Sequence, residues 1–258
     1  MIPKIIHYVW LGSKVIPENL RTDMDSWCQM MPTWDVRGWT EANIPTEVLN
    51  VPYVQQALEA RKYAFASDYI RLWALEQFGG VYLDTDVEVI RSFDFLPEFT
   101  QRCQTPNYTA FIGFEESLAH LPGTCVMGCA PHCQWVKDML KTYDGACFRS
   151  EVRSKSEDPV YDLTTNVQRM GKAMVEGGLT PNGKEQFIEK WRLHVYDHHH
   201  FSPITSTRVM RKNQNTFAIH HFAGSWVPGA KNHWYDHPVC REIINALIQV
   251  KRFIKGQK

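Results

Sequence analysis

The hydrophobic pattern changes period several times along the chain, and each change predicts an element. "IPKIIHYVWLG" (2–12) is a β-rich apolar run closed by Gly12. It predicts a buried opening strand of the kind found in α/β proteins. "PENLRTDMDSWCQMM" (17–31) predicts a helix with Pro17 near its first turn. "TWDVRGWT" (33–40) alternates weakly and predicts a second strand, and 53–63 predicts another helix. In "ASDYIRLWALEQFGG" (66–80) Tyr69, Ile70, Leu72, Trp73, Leu75 and Phe78 are apolar almost all round. Such a helix is buried on most sides; Ser67 is its expected N-cap and Gly79–Gly80 its stop.

"VYLDTDVEVI" (81–90) alternates cleanly. Read as one strand, it turns Val81, Leu83, Val87 and Val89 to one face and Tyr82, Asp84, Asp86 and Glu88 to the other. Further strands are expected at 108–115, 193–197 and 216–222. The polar stretch 150–159 reads as a loop, and the C-terminal end as an amphipathic helix with a basic tail. The sum is an α/β fold: one domain over 1–258 with a mixed central sheet, elaborated after residue 100. Within it 1–100 forms one half, 101–235 the other, and 236–258 the terminal helix.

Composition narrows the function classes. Twenty-eight basic and 28 acidic residues cancel, so nothing global points to nucleic acid. "MIPKIIHYVWLG" is too short and polar for a signal peptide, and there is no apolar run of membrane-spanning length. The seven cysteines are an odd number, which with that opening favours a reducing, cytoplasmic setting. The nine tryptophans suit either a large core or a binding cleft. Cys125, Cys129 and Cys133 recur every fourth residue beside His132, but Pro131 interrupts them and the spacing is not that of structural zinc; buried thiols are expected. His198, His199 and His200 read as a satisfied loop. Glu115 and Glu116 end a strand, and one of them is a candidate for facing an acceptor.

The chemistry concentrates at Asp84 and Asp86. Alternate strand residues lie about 6.6–7 Å apart on one side, so the two carboxylates can lean on one hard divalent cation. Asp68 and Arg71, spaced i, i+3, share a face of the preceding buried helix. Such a cation keeps open positions that suit phosphate oxygens.

"IPKIIHYVWLG", "KYAFASDYIRLWALEQFGGVYLDTDVEV" and "FAIHHFAGSW", in that order, resemble the DXD-containing glycosyltransferase family 32. Its members include bacterial capsule and O-antigen enzymes and yeast α-mannosyltransferases, and its sugar-binding region is similar to that of clostridial glucosylating toxins. The resemblance is strong over 2–12 and 62–90, moderate around 193–203 and 217–226, and poor between 100 and 190. It implies a GT-A fold, Mn²⁺ or Mg²⁺, a nucleotide sugar as donor, and transfer with retention of configuration. By the same resemblance Asp84 touches ribose and sugar and Asp86 binds the metal. Asp68 and Arg71 hold donor hydroxyls, and they are expected to matter more to turnover than to stability. Val9, Trp10 and Tyr82 line the nucleotide site. Ser225 and Trp226 reach the donor phosphates, and His220 or His221 joins the metal, with His220 favoured.

The expected function is a metal-dependent retaining α-glycosyltransferase. It would move a hexose, with UDP-galactose or UDP-glucose the favoured donors, to a saccharide acceptor of a surface polysaccharide: O-antigen, capsule or lipooligosaccharide. A lipid-linked acceptor and peripheral contact of the C-terminal basic helix with the inner membrane face go with that reading. The rivals are a metal-dependent sugar-phosphate phosphohydrolase, a toxin-like enzyme acting on protein, and a carbohydrate-binding module. The phosphohydrolase motif D-x-D-x-[TV] would need Thr or Val where Glu88 stands.

Overall fold

The computed structural model describes residues 1–100, 108–116, 120–150, 160–205 and 208–223. Ser225, Trp226 and the expected C-terminal helix lie outside the described residues. In chain order the elements are β1 (Ile5–Val9), α1 (Glu18–Met30), β2 (Asp35–Trp39), α2 (Thr46–Leu49), α3 (Pro52–Glu59), α4 (Tyr63–Phe78), β3 (Gly80–Leu83), β4 (Val87–Val89), β5 (Ala110–Phe114), β6 (Pro122–Cys129), α5 (Gln134–Lys141), α6 (Asn166–Glu176), β7 (Gln186–Ile188), β8 (Leu193–Tyr196), α7 (His198–Phe201) and β9 (Ala218–His220).

Seven strands form one sheet in the order β2-β1-β3-β6-β5-β8-β7. β2, β1 and β3 run parallel, whereas β6 pairs antiparallel with both β3 and β5. This is the mixed α/β sheet that the alternation of periods implied. β4 and β9 form a separate antiparallel pair. Strand alternation divides the core between the two faces of the sheet. Tyr82, Ile112, Met127 and Val195 join the layer containing α3–α6, whereas Val81, Leu83, Phe111 and Val126 join Trp27, Phe93 and Phe201 on the other side. Trp27, Trp34, Trp39, Trp135 and Trp191 are buried, so most described tryptophans serve the core.

Three local expectations need correction. Ser67 does not cap α4: the helix starts at Tyr63, and the Ser67 hydroxyl donates to the Ala64 carbonyl at 2.7 Å from inside it. The helix expected over 53–63 ends at Glu59, because Arg61 takes a left-handed conformation (φ 55°) before α4 begins. The single strand expected over 81–90 is two strands in different sheets. The chain turns at Asp84–Asp86, and the Val87 N–H donates to the Asp84 carbonyl at 3.0 Å. The turn preserves the alternation, so Val81, Leu83, Val87 and Val89 still share one core layer.

His7 joins β1, β2 and the end of α4. Its Nε2–H donates to the Gly79 carbonyl at 2.8 Å, and its Nδ1 accepts from the Trp39 indole N–H at 3.1 Å. That arrangement requires a neutral ring, and burial lowers the pKa from 6.5 to about 4. The unfolded chain therefore binds a proton here before the folded one does. The stabilisation is complete above pH 6.5 and is lost as pH falls towards 4; in full it amounts to roughly 3 kcal/mol. Urea unfolding between pH 7 and pH 4.5 is expected to show a shallower loss of stability for His7→Gln than for the wild type. Parallel slopes would mean that His7 is not the group protonated.

Candidate active site

The site forms where β1 and β3 end, at the switch point where the chain order reverses, with β2 on one side of β1 and β3 on the other. The carboxyl ends of strands at such a switch leave a crevice in α/β sheets. Asp84 and Asp86 occupy the turn that leaves β3. Their carboxylates converge because the chain turns there, not because they share a strand face. β9 runs antiparallel to β4 and sets His220 opposite Val87. Ligating atoms of Asp84, Asp86 and His220 all lie within 4.8 Å of one another. Two carboxylates and an imidazole are a donor set that suits Mn²⁺, so these residues fit the ion that the resemblance implies.

The register also separates the two histidines. His220 Nε2 lies 3.5 Å from Asp86 Oδ1, and its Nδ1 lies 3.1 Å from Glu115 Oε1. His221 points away, with its Nε2 at 2.9 Å from Glu88 and 3.7 Å from Asp23 on α1. Its backbone N–H donates to the Asp86 carbonyl at 2.9 Å, and the Ala223 N–H donates to Asp86 Oδ2 at 2.8 Å. Burial pushes the Asp86 carboxyl up, but His220 and the Ala223 N–H outweigh it and hold the group below the usual carboxylate range. Burial opposes a charge on His220, and Cys125, Asp86 and Glu115 around it raise its pKa well above the usual value. Burial pushes the Cys125 thiol up to about 12, so it is a protonated and poor ligand for a hard ion.

Arg71 organises the other side. It is 6% exposed and sits between two carboxylates, 3.1 Å from both Asp68 Oδ1 and Asp84 Oδ1. Its remaining N–H groups donate to the Ser67 carbonyl and hydroxyl and to the Thr124 carbonyl and hydroxyl. The guanidinium lies 4.5 Å above the Tyr82 ring, and the Tyr82 hydroxyl donates to Asp84 Oδ1 at 2.9 Å. The other oxygen of Asp68 accepts from the Asn166 N–H at 3.3 Å, where α6 begins. Burial raises the Asp68 carboxyl to about 6, with Arg71 pulling it back. Asp84 is likewise raised by burial and pulled back by Arg71.

Val9 is buried in the core, so only its backbone can reach a ligand. Trp10 follows β1 half-buried, with its indole N–H donating to the Lys14 carbonyl at 2.6 Å. His198, His199 and His200 open the short helix α7 and are not the satisfied loop expected: His199 and His200 lie beside Asp197, which caps the helix, but the buried Nε2 of His198 has no hydrogen-bond partner among the described residues. The reading of residues missed Asn166, Tyr143 and Thr124, which lie in the poorly matched middle of the chain. Tyr143 donates to Asn166 Oδ1 at 3.2 Å, and the only signal for the start of α6 was the Thr165–Gln168 spacing of a capping box.

Residues 17–103 match the glycosyltransferase sugar-binding region containing DXD motif. Asp84 and Asp86 lie inside the matched segment. It is also similar to inositol phosphoceramide mannosyltransferase 3 of Schizosaccharomyces pombe (strain 972), 30% identical over 96 residues. That match covers 36% of this chain and spans about a quarter (26%) of the relative's length. Among solved structures, the PaToxG glycosyltransferase aligns with 18% identity over 68% of this chain and 69% of its own, at a TM-score of 0.49. A glycosyltransferase involved in the glycosylation of the major capsid of PBCV-1 aligns with 14% identity over 84% and 93%, at 0.44. No described helix is long and apolar enough to cross a membrane.

Proposed function

We propose that this chain is a metal-dependent GT-A glycosyltransferase moving a hexose from a nucleotide sugar to a saccharide acceptor, with retention of configuration. The observation that carries the reading is the convergence of Asp84 and Asp86, inside the matched DXD segment where β3 ends, with His220 brought to them by β9. These residues would hold a divalent ion, which when bound neutralises charge on the departing nucleoside diphosphate. Arg71 fixes Asp84 from behind, and the Tyr82 hydroxyl holds the same oxygen. Asp68 keeps lone pairs for donor hydroxyls, and its carboxylate favours positive charge developing on the sugar ring. Trp10 stands at the end of β1, where a nucleoside base would lie. Ser225 and Trp226 belong to the proposed phosphate site by resemblance. In the front-face displacement, the bond from the anomeric carbon to the diphosphate breaks. The acceptor oxygen bonds to that carbon on the same face, and its proton passes to a donor phosphate oxygen.

UDP-galactose or UDP-glucose remains the proposed donor, and a surface-polysaccharide precursor, lipid-linked or free, the proposed acceptor. The similarity to a mannosyltransferase adds nucleotide-linked mannose to the donors to be tried. A panel of nucleotide sugars without acceptor tests the reading. Hydrolysis of one donor, dependent on Mn²⁺ and abolished by EDTA, is expected. Release of phosphate from sugar phosphates alone would favour the phosphohydrolase, and saccharide binding without any turnover would favour the binding module.

A further inference from the structure

Glu115 directly follows β5 and is no part of the DXD turn, yet its carboxylate lies 3.1 Å from Nδ1 of His220. Both side chains are largely buried, 16% and 12% exposed. The other ring nitrogen of His220, Nε2, is the one directed at Asp86. Once an ion displaces the proton on Nε2, an imidazole that donates Nδ1–H to a carboxylate presents its Nε2 lone pair in a fixed direction, and that orientation makes Nε2 the better metal ligand. The neighbouring strand is shaped to allow the contact. A Cβ on Gly123, which pairs with Gly113 two residues before Glu115, would collide with Glu115 Cγ and Oε1. The register of β5 with β6 shifts there, between Ile112 and Gly113.

We infer that Glu115 is a positioning residue of the metal centre: it accepts the Nδ1–H of His220 and fixes the tautomer and ring orientation in which Nε2 completes the Asp84–Asp86 ligand set. The inference rests on the metal-dependent reading above. It moves Glu115 from the acceptor side, where its place after a strand first suggested it, to the support of the ion.

Mn²⁺ affinity, measured by electron paramagnetic resonance of the free ion, tests this without reference to turnover. Glu115→Leu removes the acceptor and is expected to weaken Mn²⁺ binding by about 10–100-fold, the usual cost of losing such a partner. Glu115→Gln keeps an acceptor oxygen and is expected to stay within about 3-fold of wild type. Equal losses in both variants would make Glu115 a direct ligand and overturn the inference, as would unchanged affinity in folded Glu115→Leu. Nitrogen-15 NMR of the wild-type imidazoles is independent of any variant: His220 in Mg²⁺-loaded protein is expected as the Nδ1–H tautomer, and an Nε2–H tautomer overturns the role. Asp86→Asn, measured alongside, separates the levels. Loss of Mn²⁺ binding there with none in Glu115→Leu rejects only this inference, whereas intact binding in both rejects the metal reading beneath it.

Discussion

Arg71→Met is expected to lower the unfolding free energy by about 3–5 kcal/mol, the cost of leaving buried charges without their partner. The expectation follows from the geometry rather than from any catalytic role. Arg71 lies between Asp68 and Asp84 with both carboxylates at 3.1 Å, and its other N–H groups are engaged by Ser67 and Thr124. Removing it leaves two carboxylates in a site that burial already makes unfavourable for charge. Arg71→Lys keeps the charge but not the planar fork, so one ammonium cannot serve Asp68, Asp84, Ser67 and Thr124 together. Its expected loss is smaller, about 1–3 kcal/mol. This revises the expectation that Arg71 matters far more to turnover than to stability. Urea unfolding of the metal-free protein measures it. A shift for Arg71→Met no larger than a surface substitution, about 0.5 kcal/mol, would mean the clamp is not under load in solution.

How far the site was legible depends on what each signal encodes. The alternation of "VYLDTDVEVI" encodes which side chains are buried, and Val81, Leu83, Val87 and Val89 are indeed in one core layer. It does not encode whether hydrogen bonding continues, and the turn at Asp84–Asp86 keeps the same parity as a strand. The pair of carboxylates was therefore found for a reason that the backbone does not share. Alternation along a strand says only that one of His220 and His221 can face the ion, and it is the resemblance that favours His220. The β4–β9 register, a contact across more than 130 residues, decides which one meets Asp86. β6 was missed altogether: "PGTCVMGC" has a proline and two glycines and reads as a cysteine spacing. Its Gly128 is needed because a Cβ there would strike the Phe111 ring on the adjacent strand. Ser67 looked like a cap because caps are serines, but a serine inside a helix can equally bond backward, as this one does.

Asp86→Asn is expected to abolish divalent-ion binding while leaving the metal-free fold nearly unchanged. Asparagine keeps an oxygen that can accept the Ala223 N–H, now 2.8 Å from Asp86 Oδ2, so the contact between this turn and the chain beyond β9 survives. The charge does not survive. Asp86 is the carboxylate that its neighbours hold below the usual range, and it is therefore the one best prepared to stay ionised at low pH. Losing a ligand should cost more than losing a residue that merely orients one, so Mn²⁺ affinity is expected to fall by more than about 100-fold. Thermal unfolding supplies a second readout. At a concentration about 100 times the dissociation constant, a ligand confined to the folded state contributes about 2.7 kcal/mol, which raises the midpoint of a protein this size by roughly 5–10 °C. Wild-type protein should show that rise on adding Mn²⁺, and Asp86→Asn should show none while starting from the same metal-free midpoint. If the variant keeps the rise, Asp86 does not bind the ion. If its metal-free midpoint collapses instead, Asp86 is a structural anchor for β9, and the convergence of Asp84, Asp86 and His220 is a packing arrangement.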